Sequence, residues 1–191
     1  MFTLNVKRWA FALPCVPALV VLFGMAFSMT PGAAEAQGVA LEDCTGLHSA
    51  NWSPGVTNTP ALHTVTTSSN WECTGSGGLL SPASSTNQFE ATFACSGLLA
   101  PVNGLVWTIN WNDGQPQPTS TFSFNVTVEA VSGNLVITSN NGQITAGRFA
   151  GSGAVATFTL LGLAGLLDNQ CEQPGGLTGA GGATTLTITE L

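Results

Sequence analysis

The segment Thr121-Phe122-Ser123-Phe124-Asn125-Val126-Thr127-Val128-Glu129-Ala130-Val131 alternates without a break. Phe122, Phe124, Val126, Val128 and Ala130 hold one set of alternate positions, and Ser123, Asn125, Thr127 and Glu129 hold the other. Side chains on a strand point to opposite faces with a period of two, so this pattern predicts a strand with one buried and one wet face. Upstream, Leu105–Trp111 reads as its partner, and Asn112-Asp113-Gly114 marks the turn between them. Asp-Gly tolerates the positive φ angles of tight hairpins, while Pro116 and Pro118 lengthen the loop. Asn141-Gly142 supplies a second hairpin signal, between Leu135–Thr138 and Gln143–Phe149. Further strands are expected at 63–73, 88–96, 153–161 and 183–190, with a weaker one at 43–52 and a flexible approach through Gly175–Gly182. The expected fold is all-β: a single antiparallel β-sandwich or barrel of about eight strands, after an N-terminal signal helix.

That helix is read from the first residues. Lys7 and Arg8 precede an apolar run from Ala10 to Phe27, which leads to the small-residue site Ala34-Glu35-Ala36 before Gln37. Basic, apolar and small segments in this order form a secretory signal peptide, so residues 1–36 are expected to be cleaved. Residues 37–191 then form one disulfide-stapled β domain, secreted or extracellular, with no stable membrane insertion after cleavage. Cleavage removes Lys7 and Arg8 and leaves Arg148 as the only Lys or Arg, against nine Asp and Glu residues. Nucleic-acid binding needs cations to displace counterions from phosphates, and this domain has one. That partner class is excluded, and anionic membrane surfaces are disfavoured on the same ground.

Cys44, Cys73, Cys95 and Cys171 remain in the exported part. An even number in an oxidising compartment predicts disulfides. Their spacings of 29, 22 and 76 residues do not suit a metal site, which needs close ligand pairs. Cys44 and Cys73 lie symmetrically about the turn Thr57-Asn58-Thr59-Pro60, which favours 44–73 with 95–171 over 73–95 with 44–171.

Several segments together carry a resemblance. These are Cys44-Thr45-Gly46, Ser53-Pro54-Gly55-Val56-Thr57-Asn58-Thr59-Pro60, Trp111-Asn112-Asp113-Gly114 and Ser120-Thr121-Phe122-Ser123. Gly147-Arg148-Phe149-Ala150-Gly151, Asp168 through Cys171 and the closing Thr185-Leu186-Thr187-Ile188-Thr189 complete the set. The chain resembles the small exported four-cysteine β-rich proteins of actinobacteria, a group without an established activity. The resemblance implies export, an all-β fold and disulfides, and it implies no catalytic residue.

Chemistry-bearing residues are few. His48 and His63 are the only histidines, and without a ligand-spaced third partner they read as strand residues, not as a metal site or general base. Glu42-Asp43 and Asp168/Glu172 are the carboxylate pairs a glycosidase would need, but acids of a secreted domain are more often solvated. Gly175–Gly182 lacks the lysine and following helix of a phosphate cradle, so no cofactor is expected. Trp107 and Trp111 share a face, with Asn110 and Asn112 on the other. These four are the candidate ligand contacts, since rings stack and amides hydrogen-bond on a sugar or other neutral molecule. Large rings more often simply fill a core.

No catalytic motif is present, so the leading expectation is a non-enzymatic secreted or envelope-associated β-domain with a structural or recognition role. Its partner would be an envelope component, a protein or a carbohydrate. A barrel holding a small sugar or apolar ligand is the alternative, favoured by a cavity against Trp107 or Trp111. A hydrolase using His48 or His63 with a carboxylate comes third.

Overall fold

The computed structural model describes residues 39–162 and 170–191. The expected signal helix, its cleavage site and Asp168 lie outside the described residues. Eight strands follow one another: β1 (Ala40–Val56), β2 (Ala61–Gly75), β3 (Leu80–Phe93), β4 (Val102–Trp111), β5 (Thr119–Val131), β6 (Asn134–Gly147), β7 (Gly153–Leu160) and β8 (Leu177–Thr189). Each pairs antiparallel with the next, and β8 returns to pair with β1, closing the sheet into a barrel. Of the two expected architectures, the barrel is the one adopted.

Alternation places the core. On β5, Ser120, Phe122, Phe124 and Val126 are buried inside the barrel while Thr119 and Thr127 are exposed. On β2, His63, Val65, Thr67, Ser69, Trp71 and Cys73 are buried, and Leu62, Asn70 and Glu72 are exposed. The inside is thus largely apolar and the outside largely polar. A membrane-spanning barrel needs the reverse pattern.

Three local expectations are corrected. Asn141-Gly142 does not turn the chain: β6 runs straight through it, and the positive φ of Asn141 (51°) is absorbed in an irregular register with β5 and β7. Such a bulge accommodates an extra residue and bends the strand, which helps a sheet curl shut. The glycine-rich run is no loose approach either, because β8 begins at Leu177 and uses Gly179, Gly181 and Gly182 as strand residues. A Cβ on Gly182 would collide with the Thr159 carbonyl, so glycine there permits a close backbone approach. The segment 43–52, expected to be weak, lies in the longest strand, at 17 residues.

Both disulfides follow the favoured pairing, Cys44–Cys73 and Cys95–Cys171. Cys44 lies directly opposite Cys73 in the β1–β2 ladder, whose turn is the one predicted around 57–60. Cys95–Cys171 joins the β3–β4 connection to the stretch before β8, at the opposite end of the barrel from the β4–β5 turn.

Candidate functional site

An eight-stranded barrel is just wide enough either to be filled by its own side chains or to hold one small ligand. Here the interior does both, at different heights. Near the end carrying the β4–β5 turn, Trp71, Trp111, Phe122, Ile144 and Ile188 pack with the Cys44–Cys73 bridge into one buried cluster. At the other end Trp52, Val56, Leu135, Leu160 and Leu177 form a second cluster around Cys95 and Cys171.

Where the clusters meet, Ala50 on β1, Val65 and Thr67 on β2, and Val126 and Val128 on β5 are small inward residues beside larger ones such as Trp107, Phe124 and Phe158. They leave a cavity of about 110 Å³ whose lining draws on both clusters. A water-sized sphere needs about 10–15 Å³ of such space, so the cavity suits on the order of ten non-hydrogen atoms.

Aromatic rings form one wall. Trp107 meets Phe124 edge-on at 5.1 Å and Phe158 at 5.3 Å between centroids. The His48 ring lies 4.4 Å from Phe158 and 6.0 Å from Trp107, nearly parallel to the indole. His48 is 5% exposed, and its Nδ1 is 2.7 Å from Ser69 Oγ, its cross-strand neighbour on β2. Burial pulls the imidazole pKa down to about 4, so the ring is neutral at ordinary pH. Thr67 Oγ1 and Trp107 Nε1 are buried without a hydrogen-bond partner at the same cavity.

Where β3 meets β4, the barrel wall is thin. Their ladder has only two register pairs, Ala83 with Trp111 and Ser84 with Asn110, among the described residues. Beyond them side chains take over: Ser85 Oγ donates to the Thr108 carbonyl at 2.7 Å, and Asn87 Nδ2 donates to Ser85 Oγ at 2.7 Å. Further along, Phe89 and Phe93 from β3 and Val102 and Leu105 from β4 line the cavity.

Of the four residues singled out as ligand contacts, Trp107 alone lines this cavity. Trp111 is buried in the filled end, where its Nε1 donates to Ser120 Oγ at 2.9 Å and its ring meets Phe149. Asn110 and Asn112 face outward and are exposed, as the alternation on β4 requires. His63 is not opposite His48; it lies six positions before Ser69 on β2, with Nδ1 2.7 Å from the Pro54 carbonyl. Among the described residues no group of three or more His, Cys, Asp or Glu is placed to hold a metal ion. The sequence marks His48 only as a strand histidine; the closed barrel places it in a cavity.

Glu42 was read as solvated and is not. It is 4% exposed, and its Oε2 has no hydrogen-bond partner. Burial holds its carboxyl above the usual range, partly offset by the positive charge of Arg148. Arg148 Nη1 pairs with Asp113 Oδ2 at 2.7 Å, and its guanidinium lies over Trp111 and Phe149. Glu42, Asp113, Arg148 and Phe149 border a second hollow of about 510 Å³ at the filled end. The ion pair ties the β6–β7 loop to the β4–β5 loop and so closes that end. No protein-family model, curated protein or solved structure matches the chain.

Proposed function

We propose that this chain is an exported, non-enzymatic binding protein that holds one small apolar molecule inside its barrel. The observation that carries the reading is the apolar cavity itself. Barrel interiors are normally packed to the density of organic crystals, and unfilled apolar volume costs stability. Here the sequence sets small side chains on β1, β2 and β5 around one space, while the other end is filled with rings. Pockets of this kind bind by burying the ligand's surface, with a few polar groups for orientation.

Export is supported by the N-terminal order of basic, apolar and small residues and by the two disulfides. Access between β3 and β4 is supported by the short ladder there, since few backbone hydrogen bonds need to open. The hydrolase alternative has little support: His48 and His63 are hydrogen-bonded to Ser69 and to a backbone carbonyl, with no carboxylate on either among the described residues.

The test is calorimetric titration of the purified protein with p-cymene, beside the variant Ala50→Leu. The longer side chain fills the cavity from β1. Binding should weaken at least about tenfold, while stability rises by about 1 kcal/mol as apolar volume is filled. An Ala50→Leu protein that binds p-cymene as the wild type does would remove the cavity from the account.

A further inference from the structure

We infer that the cavity takes a neutral molecule bearing one hydroxyl or carbonyl group, and that His48 is the side chain that recognises it. This rests on the ligand-binding reading above and names the class of ligand. Among the described residues, none of the lining side chains is Asp, Glu, Lys or Arg. A carboxylate ligand would therefore be buried without a counter-charge, and so would an amine, which is among the costliest arrangements in a protein. Arg148, the one cation of the domain after cleavage, is committed to Asp113 at the filled end.

A pure hydrocarbon fits less well for the opposite reason. Three of the lining residues carry a polar side-chain group: His48, Thr67 and Trp107. Thr67 is 6% exposed and Trp107 is 6% exposed, and neither polar atom has a partner. Buried polar groups are normally satisfied, so these two unpartnered groups on residues of the lining, beside His48, point to a ligand that supplies hydrogen bonds.

His48 is the best placed of them. Ser69 fixes the ring through Nδ1, Phe158 and Trp107 pack beside it on one side, and Nε2 makes no hydrogen bond among the described residues. Depending on the tautomer, Nε2 donates or accepts. A hydroxyl serves both cases and a carbonyl serves the first. Burial keeps the ring uncharged near neutral pH, which removes the one group that could otherwise have paired with an anion.

The experiment uses three probes with one skeleton: p-cymene, p-isopropylbenzyl alcohol and p-isopropylbenzoate. Each is titrated calorimetrically into the purified protein and into His48→Leu at neutral pH. In the wild type the alcohol should bind about tenfold tighter than p-cymene, as one net hydrogen bond predicts. The benzoate should bind at least about a hundredfold more weakly than the alcohol. In His48→Leu the alcohol should lose its advantage while p-cymene binding is kept.

Benzoate binding as tight as the alcohol, or an equal loss for alcohol and p-cymene in His48→Leu, overturns the inference. If p-cymene binds and the alcohol shows no preference, this inference fails and the ligand-binding reading stands. If neither binds, both fail. Should His48→Leu not fold, the wild-type ranking of the three probes decides alone.

Discussion

Replacing Cys95 and Cys171 together by alanine is expected to lower the unfolding free energy by about 4.5 kcal/mol, the loop-entropy value for the 76 residues the bridge spans. The total stability of a domain this size is about 5–15 kcal/mol, so the variant should be near the edge of folding. The structure adds a reason beyond entropy. This bridge sits among Val56, Leu177 and Leu160 and closes the end of the barrel next to the cavity. Alanine is the right replacement because both positions are buried and apolar.

The Cys44–Cys73 bridge spans 29 residues, for which the same arithmetic gives about 3.6 kcal/mol. Its effect should be the smaller, because those residues are already held opposite each other by the β1–β2 ladder. Urea unfolding of the two double variants under one set of conditions measures the order. A cost below about 1 kcal/mol for the Cys95–Cys171 pair would show that the end it closes is held by packing alone.

The second large effect is a loss of stability in mild acid. His48 has a pKa near 6.5 when unfolded and about 4 in the barrel. Between those values the unfolded chain binds the proton and the folded one does not. Its contribution is therefore full above about pH 6.5, falls as the pH drops, and is gone at about pH 4, a total of about 3 kcal/mol.

Glu42 acts with the opposite sign. Its folded pKa is raised, so its contribution is present below the unfolded value of 4.5 and is lost as pH rises through the folded one. Asp113, held down by Arg148, loses its contribution only as pH falls below its ordinary 3.8, under the His48 window. Comparing urea unfolding of the wild type and His48→Leu across that window cancels both carboxylates. The wild type should lose about 3 kcal/mol more than the variant. Equal losses would mean that His48 does not titrate as a buried imidazole.

The elements that were legible share one property: their signal is local. Thr121–Val128 alternates because one face of β5 meets the core, although Ala130, expected inward, is exposed at the strand's end; Trp107, Ile109 and Trp111 fall on one face of β4 for the same reason. The Cys44–Cys73 pairing was legible because a hairpin sets its register from its own turn. Closure was not legible, since it depends on β1 meeting β8 across the whole chain.

Asn141-Gly142 and Gly175–Gly182 misled because the same chemistry serves two ends. Positive φ and a missing Cβ make a turn, but they also make a bulge or a close strand contact when long neighbours supply a ladder. Ser81–Thr86, too polar to read as a strand, still forms the first half of β3, with Ser81, Ala83 and Ser85 inward.

The cavity was the least legible feature of all. Its lining includes the small residues Ala50, Val65, Thr67 and Val126, and these positions lie on three strands. No window of sequence contains that coincidence. Sequence could point to Trp107 as a large ring on an inward face, but not to the empty space beside it.

The central claim is that a small apolar molecule sits inside the barrel between its two clusters. Intermolecular nuclear Overhauser effects between p-cymene and the isotope-labelled protein test it most directly. The account predicts contacts from the ligand's methyl groups to Trp107, Val126 and Ile137, all of which line the cavity. Contacts confined to exposed Leu47, Leu62 and Val106 on the outer wall, or none at saturating ligand, would contradict it.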